Sequence, residues 1–167
     1  MASSDCTILA VAEFDALDFD AEEKKKEKKP SKAAKRANSE GKTLKILVVD
    51  DEEEVRELEK TILESGGYEV DFAVNATEAF FKIVKNEYDL IVSDINMPEI
   101  DGYQLCEFVS SRIDIKSKKT TPVILVSGRS EPEDMFKGFE SGAITYLVKP
   151  FTAQSLLTAV SSALPTR

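Results

Sequence analysis

The sequence predicts a doubly wound α/β domain in which five parallel strands alternate with five helices. Three observations predict it. Uniformly apolar runs at 46–49, 90–92 and 123–126 read as strands buried on both faces, as parallel sheets require. Segments of helical length, with apolar residues three to four apart, lie between them. The connections are short, as in alternating strand–helix units.

The opening strand carries Ile46, Leu47, Val48 and Val49 and runs straight into Asp50 and Asp51. A helix over 52–65 follows, with Val55, Leu58 and Ile62 at helical spacing and Gly66-Gly67 closing it. YEVDFAV alternates like a half-exposed strand. Asn75, with Glu78 three residues on, then caps a helix through Ala79, Phe80, Ile83 and Val84. YDLIVSD is a second buried strand and ends on Asp94. After NMPEI, a helix from about Asp101 carries Tyr103, Leu105, Cys106, Phe108 and Val109. TPVILVSG is the next buried strand. Ser130 and Pro132 open a helix with Met135, Phe136 and Phe139 that stops at Gly142. ITYLVKP is the last strand, and Thr152 caps a final helix with Leu156, Leu157, Val160 and Leu164. Phe80, Phe81, Phe136 and Phe139 are either core or partner surface.

Composition narrows the function classes. The 167 residues carry a net charge of −9, which argues against nucleic-acid binding on bulk electrostatics. Apolar residues make up 42% of the chain, normal for a folded core, yet no run approaches the ~20 residues of a membrane span. There is no basic start to a signal peptide, so the chain is expected in the cytoplasm. Cys6 and Cys106 do not make a disulfide framework, and Cys106 reads as a buried thiol. The histidine count is zero. That excludes a Ser-His-Asp or Cys-His system, histidine-bound zinc and a histidine general base.

Charge divides the N-terminal part. Residues 1–23 hold seven acids and no base, mixed with Ile8, Leu9, Val11, Phe14, Leu17 and Phe19. Residues 24–45 hold ten bases and two acids without apolar periodicity. The expected organisation is a flexible extension over 1–43, made of an acidic-apolar block (1–23) and a basic linker (24–43), followed by one domain over 44–167. The acidic-apolar block either docks on a partner, folds back on the basic run, or stays disordered.

Doubly wound sheets bind ligands beyond the carboxyl ends of their strands, where strand order reverses. Those ends deliver Asp50 and Asp51, Asp94, Ser127 and Lys149. Taken alone, the Asp50-Asp51 pair would serve as the acidic start of a helix. Converging carboxylates stay protonated or bind a cation, and an all-oxygen donor set suits magnesium. Metal, lysine and hydroxyl around a free carboxylate form a pocket for a phosphoryl group. The central carboxylate, Asp94, is placed to act as nucleophile and form an acyl phosphate.

These residues carry a resemblance. VVDDEEEVRE, SDINMPEIDGYQL, PVILVSG and ITYLVKPF, in this order over residues 44–164, resemble the receiver domain of two-component response regulators. The resemblance implies a flavodoxin-like sheet of order 2-1-3-4-5. It implies that Asp94 accepts phosphate from a phosphohistidine on a sensor histidine kinase or histidine phosphotransfer protein. It further implies that Asp51, Asp94 and the backbone carbonyl of Asn96 ligate Mg2+, with Asp50 holding it through water. Ser127 then senses the phosphoryl oxygens, Lys149 pairs with Asp94 or its phosphate, and Tyr146 is the switch aromatic turning inward behind Ser127. Lys149-Pro150 is expected to be cis. Arg129 and the Asn96 side chain vary in the family and influence phosphate lifetime, while Gly128 leaves more room beside the phosphate.

The function so implied is a phosphorylation-dependent switch, not an enzyme, that signals through protein contacts on the face of the fourth helix, fifth strand and fifth helix. A phosphatase is a further expected partner. Residues 1–43 are too short for a usual output domain, so no DNA-binding output is expected. Two other readings compete. A magnesium phosphohydrolase of the haloacid-dehalogenase kind also uses an aspartyl phosphate, but it places an acid two residues after the nucleophile, where this chain has Asn96. A degenerate receiver acting only as a docking module conflicts with the complete set of Asp50, Asp51, Asp94, Ser127 and Lys149.

Overall fold

The computed structural model describes residues 35–37, 41–112 and 120–164. The acidic-apolar block and most of the basic run therefore lie outside the described residues. Ten elements follow one another as β1 (Lys45–Val49), α1 (Glu53–Ser65), β2 (Glu69–Ala73), α2 (Ala76–Lys85), β3 (Leu90–Asp94), α3 (Gly102–Ser111), β4 (Val123–Ser127), α4 (Pro132–Glu140), β5 (Thr145–Val148) and α5 (Ala153–Ala163). All strand pairs are parallel, and the order is β2-β1-β3-β4-β5.

Alternation along the strands builds two cores. Leu47 and Val49 of β1 join Ile91 and Leu125 against α2, α3 and α4. Ile46 and Val48 join Leu90, Val92, Ile124 and Val126 against α1 and α5. The central strands are thus apolar at successive positions because both of their faces are covered.

Helix starts follow local chemistry. Asn75 accepts from the Glu78 amide at 2.8 Å, and Glu78 reaches back to the Val74 amide at 2.9 Å. Asp101 and Gln104 bond reciprocally at the start of α3, and Thr152 and Ser155 do so at α5. At α4 the expected opening by Ser130 does not occur. Glu131 occupies the cap position without a side-chain bond, and Pro132 is the first helical residue, where a missing N–H costs nothing.

The apolar stripe of α1 also differs from expectation. Leu58 is 53% exposed, whereas Glu59 is 1% exposed. The face turned to the sheet runs through Val55, Glu59, Ile62 and Leu63, at i, i+4, i+7 and i+8. A carboxyl therefore occupies a position in the stripe that an apolar side chain would normally fill. Of the four phenylalanines in question, Phe80 packs on Phe108 with ring centroids 4.5 Å apart. Phe81, Phe136 and Phe139 are exposed.

Ordered contacts extend upstream of β1. The Arg36 amide donates to the Gly67 carbonyl at 3.0 Å, and Leu44 donates back to the Arg36 carbonyl at 2.8 Å. The Arg36 guanidinium donates to the Tyr68 hydroxyl at 3.0 Å and lies 5.3 Å from that ring's centroid. Ala37 bridges antiparallel to Thr43. This short clasp grips the turn between α1 and β2, at the amino ends of the strands.

Candidate functional site

The carboxyl ends of β1, β3, β4 and β5 place Asp50, Asp94, Ser127 and Lys149 along one rim. Strand order reverses between β1 and β3, so Asp50 and Asp94 flank the crevice that this topology opens. Both are buried, at 1% and 5% exposure, and the Lys149 ammonium joins them at 2.9 Å from Asp50 Oδ2 and 2.8 Å from Asp94 Oδ1. The Lys149-Pro150 peptide is cis.

Local bonds fix each carboxylate. The other oxygen of Asp50 accepts from the Glu52 amide at 2.8 Å, and Arg56 holds the Asp50 carbonyl at 2.6 Å. The Asn96 backbone N–H favours the charged form of the Asp94 carboxyl. Gly102 lies so close behind Asp94 that a Cβ there would collide with the Asp94 carbonyl oxygen and with Ile95 Cα. Only glycine lets the chain return past its own loop at this point.

The electrostatics follow from burial. Burial raises the Asp94 carboxyl above the ordinary range and Asp50 adds to this, while Lys149 and the Asn96 amide pull the other way without cancelling it. For Lys149, burial favours the neutral amine, but its bonds to Asp94 and Asp50 outweigh that and hold it firmly protonated. Glu59 lies beneath this pair from the α1 side. Burial, reinforced by Asp50 and Asp94 and opposed by Lys149, pushes its carboxyl to about 8. Among the described residues its Oε1 has no hydrogen-bond partner. Sequence reasoning passed over Glu59, although its i+4 spacing from Val55 and i−4 spacing from Leu63 were a usable signal.

Asp51 is exposed beside Asp50, and Asn96 is exposed beyond β3. Among the described residues no three acidic side chains form a ready metal cage. The set still fits magnesium, which keeps several waters and takes one or two protein carboxylates. Ser127 is fully buried, and its Oγ accepts from the Arg129 amide at 3.0 Å, which leaves its own proton to donate. No atom lies within 4 Å of a Cβ placed on Gly128. Tyr146 lies inward, 9% exposed, with its hydroxyl donating to the Arg129 carbonyl at 3.0 Å. Burial raises the Cys106 thiol, consistent with a packing role.

A model of the response regulator receiver domain matches residues 46–161. The chain belongs to this family. The receiver is 39% identical over 120 residues to the transcriptional regulatory protein ResD of Bacillus subtilis, covering 72% of this chain and 48% of that protein. It is 36% identical over 119 residues to SrrA of Staphylococcus aureus, covering 71% and 47%. The chain thus spans about half the length of these curated relatives. Among solved structures, the receiver is similar to the chemotaxis protein CheY4 of Vibrio cholerae (34% identity, TM-score 0.65, 72% of this chain and 98% of that one). It is also similar to the response regulator TrrA of Thermotoga maritima in complex with Mg2+ and BeF (36% identity, TM-score 0.63, 73% and 100%). The receiver has five parallel strands in the order expected of a CheY-like, flavodoxin-like sheet. Among the described residues, no helix is long and apolar enough to cross a membrane.

Proposed function

We propose that this receiver is a phosphorylation-dependent signalling switch in which Asp94 is the phosphoacceptor. The observation that carries the reading is the Lys149 ammonium seated between Asp94 and Asp50 at the strand-order reversal. An Asp94 oxygen attacks the phosphorus of a phosphohistidine on a sensor kinase or histidine phosphotransfer protein. The P–N bond breaks, and its electron pair leaves with the imidazole, which takes up a proton. Asp50, Asp51, Asp94 and the Asn96 carbonyl are the groups to hold Mg2+, which when bound supplies charge neutralisation at the phosphoryl oxygens. Lys149 stays protonated and pairs with the phosphoryl group, and Ser127 donates its proton to a phosphoryl oxygen.

The chain is then a phosphoacceptor that promotes only its own phosphorylation and dephosphorylation, with or without a partner phosphatase. Its signal leaves through the face of α4, β5 and α5, where Phe136, Phe139 and Ile144 are exposed. This reading sets the protein in the cytoplasm, with residues 1–43 as an extension to the receiver over 44–167.

Incubation with acetyl phosphate and magnesium tests the assignment by intact mass. One phosphoryl group is expected on the wild type, none on Asp94→Ala, and none after chelation. A label on serine or threonine, or undiminished labelling of Asp94→Ala, overturns it. Sustained turnover of a phosphomonoester at ~1 to 1,000 per second would instead favour a hydrolase.

A further inference from the structure

The peptide units on either side of Asp51 are each pinned by a side chain. The unit before it presents the Asp50 carbonyl, which accepts from the Arg56 guanidinium at 2.6 Å. The unit after it presents the Glu52 amide, which donates to Asp50 Oδ1 at 2.8 Å. Asp50 is itself fixed, since Lys149 donates to its Oδ2 at 2.9 Å and its own amide donates to the Ala73 carbonyl at 3.3 Å. Arg56 closes the turn from the other end as well, its amide donating to the Glu52 carbonyl at 3.0 Å. None of these bonds is made by the Asp51 side chain, and Asp51 is exposed.

The two aspartates that are read as direct magnesium ligands are supported differently. Asp94 closes β3 and pairs with Val126 in the sheet, so the ladder holds its backbone. Asp51 lies beyond the end of β1, and the pairing of that strand stops at Val49 on both sides. Its backbone depends on the turn alone. Arg56, half-buried in the first turn of α1, reaches back over that turn to the end of β1. Its charge and its bond act in opposite senses. A guanidinium beside Asp50 and Asp51 repels a metal ion held there, whereas a fixed Asp50 carbonyl holds Asp51 ready for one.

We propose that Arg56 is a positioning residue of the metal site, fixing the Asp50–Asp51 peptide from which the Asp51 carboxylate reaches Mg2+. The proposal rests on the reading of Asp51 as a magnesium ligand. Magnesium demands near-ideal octahedral geometry and dehydrates reluctantly, so it gains little from a ligand on a loosely held turn. Ordering that turn at the moment of binding would be paid out of the metal's affinity. Partners that orient a metal's ligands are commonly worth about 10- to 100-fold in that affinity. The planar guanidinium fixes the direction of its donors, which the ammonium of a lysine does not.

The test is the magnesium affinity of the full chain, read from amide chemical shifts in a titration with magnesium chloride alone. Arg56→Met keeps the aliphatic stem and removes both the donor and the charge. Loss of the charge by itself tightens Mg2+, so positioning is read from a change of the opposite sign. Affinity about 10-fold weaker is expected, and no further loss when Arg56→Met is added to Asp51→Asn. Arg56→Lys keeps the charge and gives up the fork, and it should fall between Arg56→Met and the wild type; it decides the matter should Arg56→Met not fold. Magnesium bound as tightly by Arg56→Met as by the wild type, or more tightly, overturns the proposal. So does an equal loss in the Asp51→Asn background, or wild-type affinity in Arg56→Lys. A wild type that binds no Mg2+ overturns the magnesium reading itself, and the proposal with it, which is a separate result.

Discussion

The Lys149 ammonium sits 2.8 Å from Asp94, and the same nitrogen sits 2.9 Å from Asp50. One cation at the end of the last strand therefore compensates two buried carboxylates at the ends of two other strands. Lys149→Met leaves both without this cation. Breaking a buried charge pair this way costs about 3–5 kcal/mol, and partial solvent access here sets the expectation at roughly 3 kcal/mol at pH 7. Asp94, raised by burial, loses the cation that opposes the rise, so the deficit is present at neutral pH and shrinks as falling pH protonates it. Magnesium should restore part of it by binding only the folded state. Urea denaturation with and without magnesium measures all three effects, and equal stability of variant and wild type at pH 7 would refute the compensation.

Glu59 predicts a pH trend of its own. Its folded value of about 8 lies above the ordinary 4.5, so the folded chain binds that proton more tightly than the unfolded one. The stability it permits is complete below pH 4.5 and is lost as pH rises toward 8, by about 3 kcal/mol at pH 7. Glu59→Leu, which completes the apolar stripe of α1, should be more stable than wild type at pH 8, and the advantage should shrink by about 3 kcal/mol toward pH 4.5. Thermal denaturation in divalent-free buffer across this range is the measurement, and a pH-independent gap would contradict the assignment.

The Arg36 clasp separates two truncations. Deleting residues 1–34 keeps its contacts with Gly67 and Tyr68, while deleting 1–43 removes them. Both products are expected to fold cooperatively and accept phosphate. The shorter one should be about 1–2 kcal/mol less stable, the worth of a charge-assisted hydrogen bond together with a cation–π contact. Identical denaturation midpoints would show that the clasp contributes nothing.

Ser127→Ala and Tyr146→Ala test the output. Each should still accept phosphate on Asp94 yet lose most of the gain in partner affinity that beryllofluoride brings to the wild type. Phosphate can bias the switch only through its differential interaction with the two states. Titration of the partner with and without beryllofluoride decides this, and an unchanged ratio in both variants rules the route out.

At Gly102 the prediction is steric. Gly102→Ala drives a methyl into the Asp94 carbonyl and the Ile95 backbone, so the loop must move. A loss of about 2–3 kcal/mol is expected, with slowed labelling of Asp94 by acetyl phosphate. Wild-type labelling rate and stability would mean that the backbone yields freely there.

The buried strands were legible because a sheet covered on both faces demands continuous apolar runs, and within the domain those runs fall at 46–49, 90–92 and 123–126. Strand ends were legible for the same reason, since Asp50, Asp94, Ser127 and Lys149 each follow or close such a run. What escaped was the angle of a helix face and the partners of side chains. Val55, Leu58 and Ile62 define a stripe on α1, yet so do Val55, Glu59, Ile62 and Leu63, and only packing against α5 and β1 selects the second. Tyr103 counted as one more apolar residue of α3, because its hydroxyl partner is 31 positions away in the chain. Ser130 looked like a cap by type, but Pro132 sets where α4 begins. Arg36 sits in a run of bases that reads as solvated until Tyr68 is seen beside it.

The Lys149–Asp50 pair joins residues 99 apart, near the two ends of the β-α series. β1, β3, β4 and β5 must all be paired before the ammonium reaches its carboxylates. No fragment ending before β5 and no intermediate lacking it owns the pocket. Contacts so distant in sequence form late in the search for the native state. On the function proposed above, competence to take phosphate would be a certificate of completed folding, and a nascent or damaged chain would stay silent instead of signalling falsely.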